Sequence, residues 1–239
     1  MDTTQSAVEV SEVSFNRHNG FVGPSDLAEV VNIIGVGATG SNLALAAAKM
    51  GATNFQIWDH DLVEAHNLPN QAYDVEHIGM SKVDALEAVL KRFNPRVNVV
   101  KHQTYFTTEK HSDQVEGVLV IAVDSMKARA DITNTFDGNP LVSLVMESRL
   151  GFDFGSVTII DPMCDADIEN WKASLLDDSE VPEGPCGRRI CTTTVGIIAN
   201  FMVQQICMQK SSIRRGTEWK PRKKMVMHFN EEGMVVHQF

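Results

Sequence analysis

The chain has 239 residues, 43% hydrophobic and 22% charged, with a formal net charge of −10. That is the composition of a soluble globular chain able to bury a full core, and its acidic balance disfavours general nucleic-acid binding, which rewards clustered lysine and arginine. No apolar run reaches the ~18 residues of a membrane span, MDTTQSAVEVSEV lacks the basic and apolar regions of a signal peptide, and four cysteines are too few for a disulfide scaffold, so a cytoplasmic protein is expected.

Residues 1–13 read as a flexible polar tail, and 14–239 as a single domain. Val30 to Ile34 reads as a buried strand. Gly35, Gly37 and Gly40 follow as G-x-G-x-x-G, and a helix is expected from about Ser41. Asn54 to Trp58 reads as a second strand with Asp59 at its end. Strand, glycines, helix, strand and acid in this order make a nucleotide-binding βαβ unit. The glycines let the backbone turn tightly and approach phosphates, the helix N-terminus attracts an anion, and Asp59 can hydrogen-bond a ribose hydroxyl.

Ser81 to Phe93 repeats apolar residues at Val83, Leu86, Val89 and Leu90, which predicts an amphipathic helix. Asn98 to Lys101 is a short strand. Val118 to Val123 is apolar throughout, as in a parallel strand buried on both faces. Ser125 to Phe136 is helical in pattern, and Leu141 to Val145 and Ser156 to Ile160 read as strands. This alternation predicts an α/β, Rossmann-like, doubly wound sheet. Residues 161–190 read as an irregular acidic crossover loop, because 161–187 are poorly periodic. Thr194 to Gln209 is an apolar helix. Lys210 to Lys224 is locally basic and reads as a solvated face. Residues 225–239 form a C-terminal hairpin, so the late strands are expected as antiparallel additions to the parallel half.

Four features bear on which nucleotide is bound. Asp59 and Asp61 are followed by Asn67, Asn70 and Gln71, a polar turn on the nucleotide side of the sheet; local side-chain caps are the plainer reading. Lys82 opens a helix, where a cation opposes the dipole, so it is either solvated or facing an anion. Asp124 ends a buried strand, where a carboxylate can hold phosphate-bound Mg²⁺ or cap the next helix. Arg17 precedes the first strand and by itself is a surface arginine.

Together, the Arg17 segment, GVGATG, WDHDLVEAHNLPNQ, GMSK and AVDSMKAR resemble the ubiquitin-activating-enzyme-like superfamily, the ThiF/MoeB/HesA adenylyltransferases. The resemblance covers roughly residues 15–210. It implies ATP, with Mg²⁺, rather than NAD, and attack of a C-terminal carboxylate on the α-phosphate. The carboxylate would belong to a ubiquitin-like protein or peptide, and the products would be an acyl-adenylate and pyrophosphate. Gly35, Gly37, Gly40, Asp59 and Asp61 would bind the nucleotide, with Asn67, Asn70, Gln71 and Lys82 near the phosphates. Asp124 would hold Mg²⁺. Arg17 would reach the neighbour's ATP across a homodimer. Some relatives carry an acyl-accepting cysteine in this loop; Cys186 or Cys191 would be that acceptor, Arg188 and Arg189 favouring the thiolate, or else a buried or bystander cysteine. Two departures are Asn70 where the family has arginine and Ser125 where asparagine is common; Arg129 or Arg149 could compensate. The paired C-x-x-C of zinc-binding members is missing, so no structural zinc is expected. Adenylation in tRNA or peptide natural-product modification, or a catalytically weakened ATP-binding partner subunit, are the alternatives. No membrane partner is expected, and tRNA is the one nucleic acid compatible with the resemblance.

Overall fold

A computed structural model describes residues 13–18, 20–151, 154–175, 191–230 and 233–239. Strands β1 (Val31–Ile34), β2 (Asn54–Trp58), β3 (Asn98–His102), β4 (Gly117–Ile121), β5 (Val142–Leu150), β6 (Phe154–Ile160), β7 (Lys224–Asn230) and β8 (Gly233–Gln238) form one sheet in the order β3-β2-β1-β4-β5-β6-β7-β8. The pairs from β3 through β5 are parallel. Those from β5 through β8 are antiparallel. The fold is therefore the expected Rossmann-like sheet with an antiparallel extension.

Helices cover both faces. On one face, α1 (Ala38–Met50), α2 (Lys82–Phe93) and α6 (Thr192–Arg214) contribute Leu43, Leu86, Ile198 and Met202 to the larger core. On the other, α4 (Met126–Phe136) and α5 (Asp165–Ala173) bury Ile132, Phe136, Ile168 and Trp171. The short α3 (Thr108–His111) packs near α4. Strand β4 sends Val118 and Val120 to one core and Leu119 and Ile121 to the other. Burial on both faces explains its unbroken apolar run.

Several elements differ from their sequence reading. Helix α1 begins at Ala38, so Gly40 lies inside it. Part of the expected crossover loop is helix α5. Its acids Asp165 and Asp167 occupy the first turn, where they complement the dipole, and Ile168 and Trp171 turn inward. Helix α6 runs five residues beyond Gln209, through Arg214. Lys210 is not solvated: it is 5% exposed and its Nζ lies 2.6 Å from Glu29 Oε2. Apart from Val13, the expected N-terminal tail lies outside the described residues, as do residues 176–190 of the expected crossover.

Candidate active site

Strand order reverses between β1 and β4, where a doubly wound sheet opens a crevice at its carboxyl edge. A cleft of about 980 Å³ lies there, walled by the segments that follow β1, β2, β3 and β4 and by the end of β5. Gly35, Gly37, Asp59, Asp61, Lys82 and Asp124 all line it.

The β1–α1 turn is shaped by glycine. Gly35 has φ +89°, and a Cβ there would come within 2.7 Å of the Ala122 carbonyl oxygen. A Cβ on Gly40 would run into the Gly35 carbonyl. Gly40 thus serves close packing of α1 on β1 and does not line the cleft, whereas Gly37 caps the helix at the cleft wall. The first-turn N–H groups of α1 have no intrahelical acceptor and offer an anion site.

Asp59 is held from both sides. Its Oδ2 accepts from the Val36 N–H at 2.9 Å and its Oδ1 from the Asp61 N–H at 2.9 Å. A carboxylate oxygen has a second lone-pair direction, so both remain able to accept from a hydroxyl. Below it, the Tyr73 hydroxyl donates to the Val36 carbonyl at 2.6 Å. Burial first, then the charge of Asp59, pushes the Tyr73 phenol well above its ordinary pKa.

Lys82 is buried, and its Nζ lies 2.6 Å from Asp61 Oδ2. Of the two sequence readings, solvated or facing an anion, Lys82 takes the second, and the anion is the protein's own Asp61. Partial burial pushes the Asp61 carboxyl up, but the hydrogen bond and charge of Lys82, with His60, outweigh it and hold the carboxyl below its usual value. His60 Nε2 sits 3.0 Å from Asp61 Oδ1. Its ring stacks on Tyr105 with centroids 3.7 Å apart. His60 and Tyr105 both line the cleft beside Asp59, and sequence reasoning did not single them out. The parallel pairing of Trp58 with His102 is what brings them together.

Gln71 reaches the cleft, and its buried Oε1 has no hydrogen-bond partner among the described residues. An unpaired buried polar atom beside a glycine turn fits a polar ligand. Asp124 is exposed in the cleft. It does not cap α4: Ser125 does, accepting from the Ala128 N–H at 3.3 Å.

The sequence matches the ThiF family over residues 27–229. The chain belongs to the ThiF family. Among curated relatives, ubiquitin-like modifier-activating enzyme 5 of Gallus gallus is 29% identical over 197 residues, covering 74% of this chain and 49% of that protein. The Bombyx mori enzyme of the same name is 28% identical over 197 residues, with the same coverage. The chain spans about half the length of these relatives. Among solved structures, E. coli MccB with ATP has a TM-score of 0.66 at 14% identity, covering 90% of this chain and 65% of that one. The E. coli tRNA N6-threonylcarbamoyladenosine dehydratase TcdA has a TM-score of 0.63 at 15% identity, covering 81% and 91%. At these identities the likeness is one of fold.

Some residues matched to ThiF motifs lie away from the cleft. Asn67 Oδ1 accepts from the Glu64 N–H at 2.9 Å, the plainer capping role. Asn70 Oδ1 accepts from Thr192 Oγ1 at 2.9 Å, and its carbonyl accepts from Asn42 Nδ2 at 2.9 Å. Asn70 thus joins α1 to the start of α6. Arg17 is exposed in the short helix Asn16–His18, outside the cleft of its own chain. Cys186, Arg188 and Arg189 lie outside the described residues. Cys191 is exposed at the N-cap of α6, where hydrogen bonds from the Thr193 side chain and the Thr193 and Thr194 backbone lower its thiol pKa.

Proposed function

We propose that this ThiF chain is an ATP-dependent adenylyltransferase that activates the C-terminal carboxylate of a ubiquitin-like protein or peptide. The observation that carries the reading is the convergence of the Gly35–Gly37 turn, Asp59, Gln71, Lys82 and Asp124 on one cleft. Asp59 accepts from a ribose hydroxyl, and the base lies against the His60–Tyr105 pair. The N-terminus of α1 faces the phosphates. The carboxylate oxygen attacks the α-phosphorus. The new P–O bond forms as the bond to the α–β bridging oxygen breaks, and pyrophosphate leaves with that electron pair. Lys82 counters charge developing on the phosphate oxygens, the preorganised electrostatic assistance such transfers need. Asp124, an exposed hard oxygen donor at the strand end, fits Mg²⁺, which takes one or two carboxylates plus phosphate oxygens. When bound, that ion neutralises phosphate charge. The names of the curated relatives support a ubiquitin-like substrate.

Carboxylate-dependent ATP–pyrophosphate exchange tests the reading. Exchange is expected with a ubiquitin-like protein or peptide ending in a free carboxylate, and with neither partner omitted. Asp124→Ala should lower it by about 10²–10³-fold, the scale of losing one charge-stabilising group. ATP binding without exchange for any carboxylate would instead favour a non-catalytic subunit.

A further inference from the structure

Behind the end of β4 lies a buried ion pair. Glu147, in β5, is fully buried, and its Oε1 lies 2.9 Å from Arg129 Nε and 2.8 Å from Arg149 Nε. Arg129, in α4, is 4% exposed. Its terminal nitrogens face backbone carbonyls and the Met126 sulfur. Nη1 lies 3.4 Å from the Asp124 oxygen, and Nη2 donates to the Ser148 oxygen at 3.1 Å and to the Val123 oxygen. One planar group thus ties Val123 and Asp124, just past β4, to Ser148 in β5. Neither Arg129 nor Arg149 is left facing phosphates alone; each is drawn to Glu147. A buried guanidinium is tolerated where a carboxylate pairs with it and its other N–H groups are satisfied. Arg149 carries the same network outward, donating to the Ser174 carbonyl and hydroxyl at 2.9 and 2.8 Å.

We infer that Glu147 and Arg129 are positioning residues for Asp124. Their pair fixes the two carbonyls that set the backbone under the Asp124 carboxylate, and so sets how well that carboxylate holds a divalent cation with a nucleotide's phosphates. The inference rests on the proposed role of Asp124. Glu147 Oε2 is buried without a hydrogen-bond partner among the described residues. Glu147→Gln therefore keeps an acceptor for both arginines while removing the charge that orients them.

The test is calorimetric titration of ATP into the full chain, with Mg²⁺ and with EDTA. Wild type is expected to bind ATP more tightly with Mg²⁺. That ratio should fall about tenfold in Glu147→Gln, towards the value of Asp124→Ala, with EDTA affinity unchanged. Arg129→Lys, which keeps the charge but fewer carbonyl contacts, should lie between. Should Glu147→Gln fail to fold, the double variant Arg129→Met with Glu147→Met replaces the pair by apolar chains of similar length, a change buried pairs commonly tolerate. Folded variants with lowered melting temperature but the wild-type Mg²⁺ ratio would overturn the inference, and so would a wild type indifferent to Mg²⁺. Mg²⁺-dependent binding without pyrophosphate exchange would count against the adenylation reading and leave this one standing.

Discussion

The cleft works through short polar chains that start at Asp59. Its two oxygens are fixed by backbone N–H groups, so the carboxylate is already ordered for a hydroxyl such as that of the proposed ribose. From the neighbouring His60 the chain runs through Asp61 to Lys82, and sideways to Tyr105. Tyr105 is 67% exposed at the cleft wall. Tyr105→Ala should raise the KM for ATP about tenfold and leave kcat within twofold, because stacking on a base is worth ~1–3 kcal/mol and acts equally in ground and transition states. Steady-state exchange kinetics measure both constants; an unchanged KM would remove Tyr105 from the base site. Cysteine reactivity is a second prediction at this scale. Cys191 is exposed with a lowered thiol pKa, whereas burial pushes Cys207 up to about 11. Thiolate is the reactive form. A maleimide pulse on native protein should modify Cys191 well before Cys207, as peptide mass spectrometry would report. Equal rates would contradict the burial of Cys207.

At the scale of elements, what the sequence disclosed depended on how local each signal was. The β1–α1–β2 unit was legible because its glycines, apolar strands and terminal acid lie within about thirty residues and obey one geometry. Lys82 was half legible: its position at a helix start was readable, but its partner Asp61 becomes adjacent only through the antiparallel bridge between Leu62 and Ser81. Helix α5 was obscured because Ile168 and Trp171 are its only buried residues, set among acids. His60 and Tyr105 were missed because β2–β3 pairing, not sequence proximity, joins them. The Lys210–Glu29 pair is of the same kind, linking α6 to the segment before β1. Burial pushes Glu29 up, but hydrogen bonds from Lys210 and Ser143 outweigh it and hold its carboxyl below 4.5. A depressed folded-state value stabilises above the unfolded pKa and is lost as pH falls through the folded one. Glu29→Gln should therefore cost about 1 kcal/mol at pH 7, discounted for the partial exposure of Glu29. The difference should close in acid, once the pH has fallen through the depressed folded-state value and the wild-type carboxylate is also protonated. Urea unfolding at the two pH values measures it, and a gap that persists in acid would assign the loss to packing.

Across the whole molecule, the parallel half that forms the cleft and the antiparallel half are joined through β5, whose Leu144 and Met146 belong to the same buried cluster as Leu43 of α1 and Met227 of β7. Helix α6 crosses this boundary, packing against α1 and against β5 and β6. Two halves that share a helix, a strand and a core should not melt separately, because exposing either strips apolar surface from the other. Two tryptophans serve as probes: Trp58 ends β2 beside Asp59, and Trp171 lies in α5, which packs on β6 of the antiparallel half. With Trp219 replaced by Phe, single-tryptophan variants retaining Trp58 or Trp171 should lose fluorescence at midpoints within about a degree of each other and of the far-ultraviolet dichroism, as coincident probes do in a two-state transition. Saturating ATP should raise both midpoints together, since a ligand at ~100 times its Kd adds about 2.7 kcal/mol to the folded state as a whole. If ATP moved Trp58 and left Trp171 in place, the chain would unfold as two units and the antiparallel half would be a separable module.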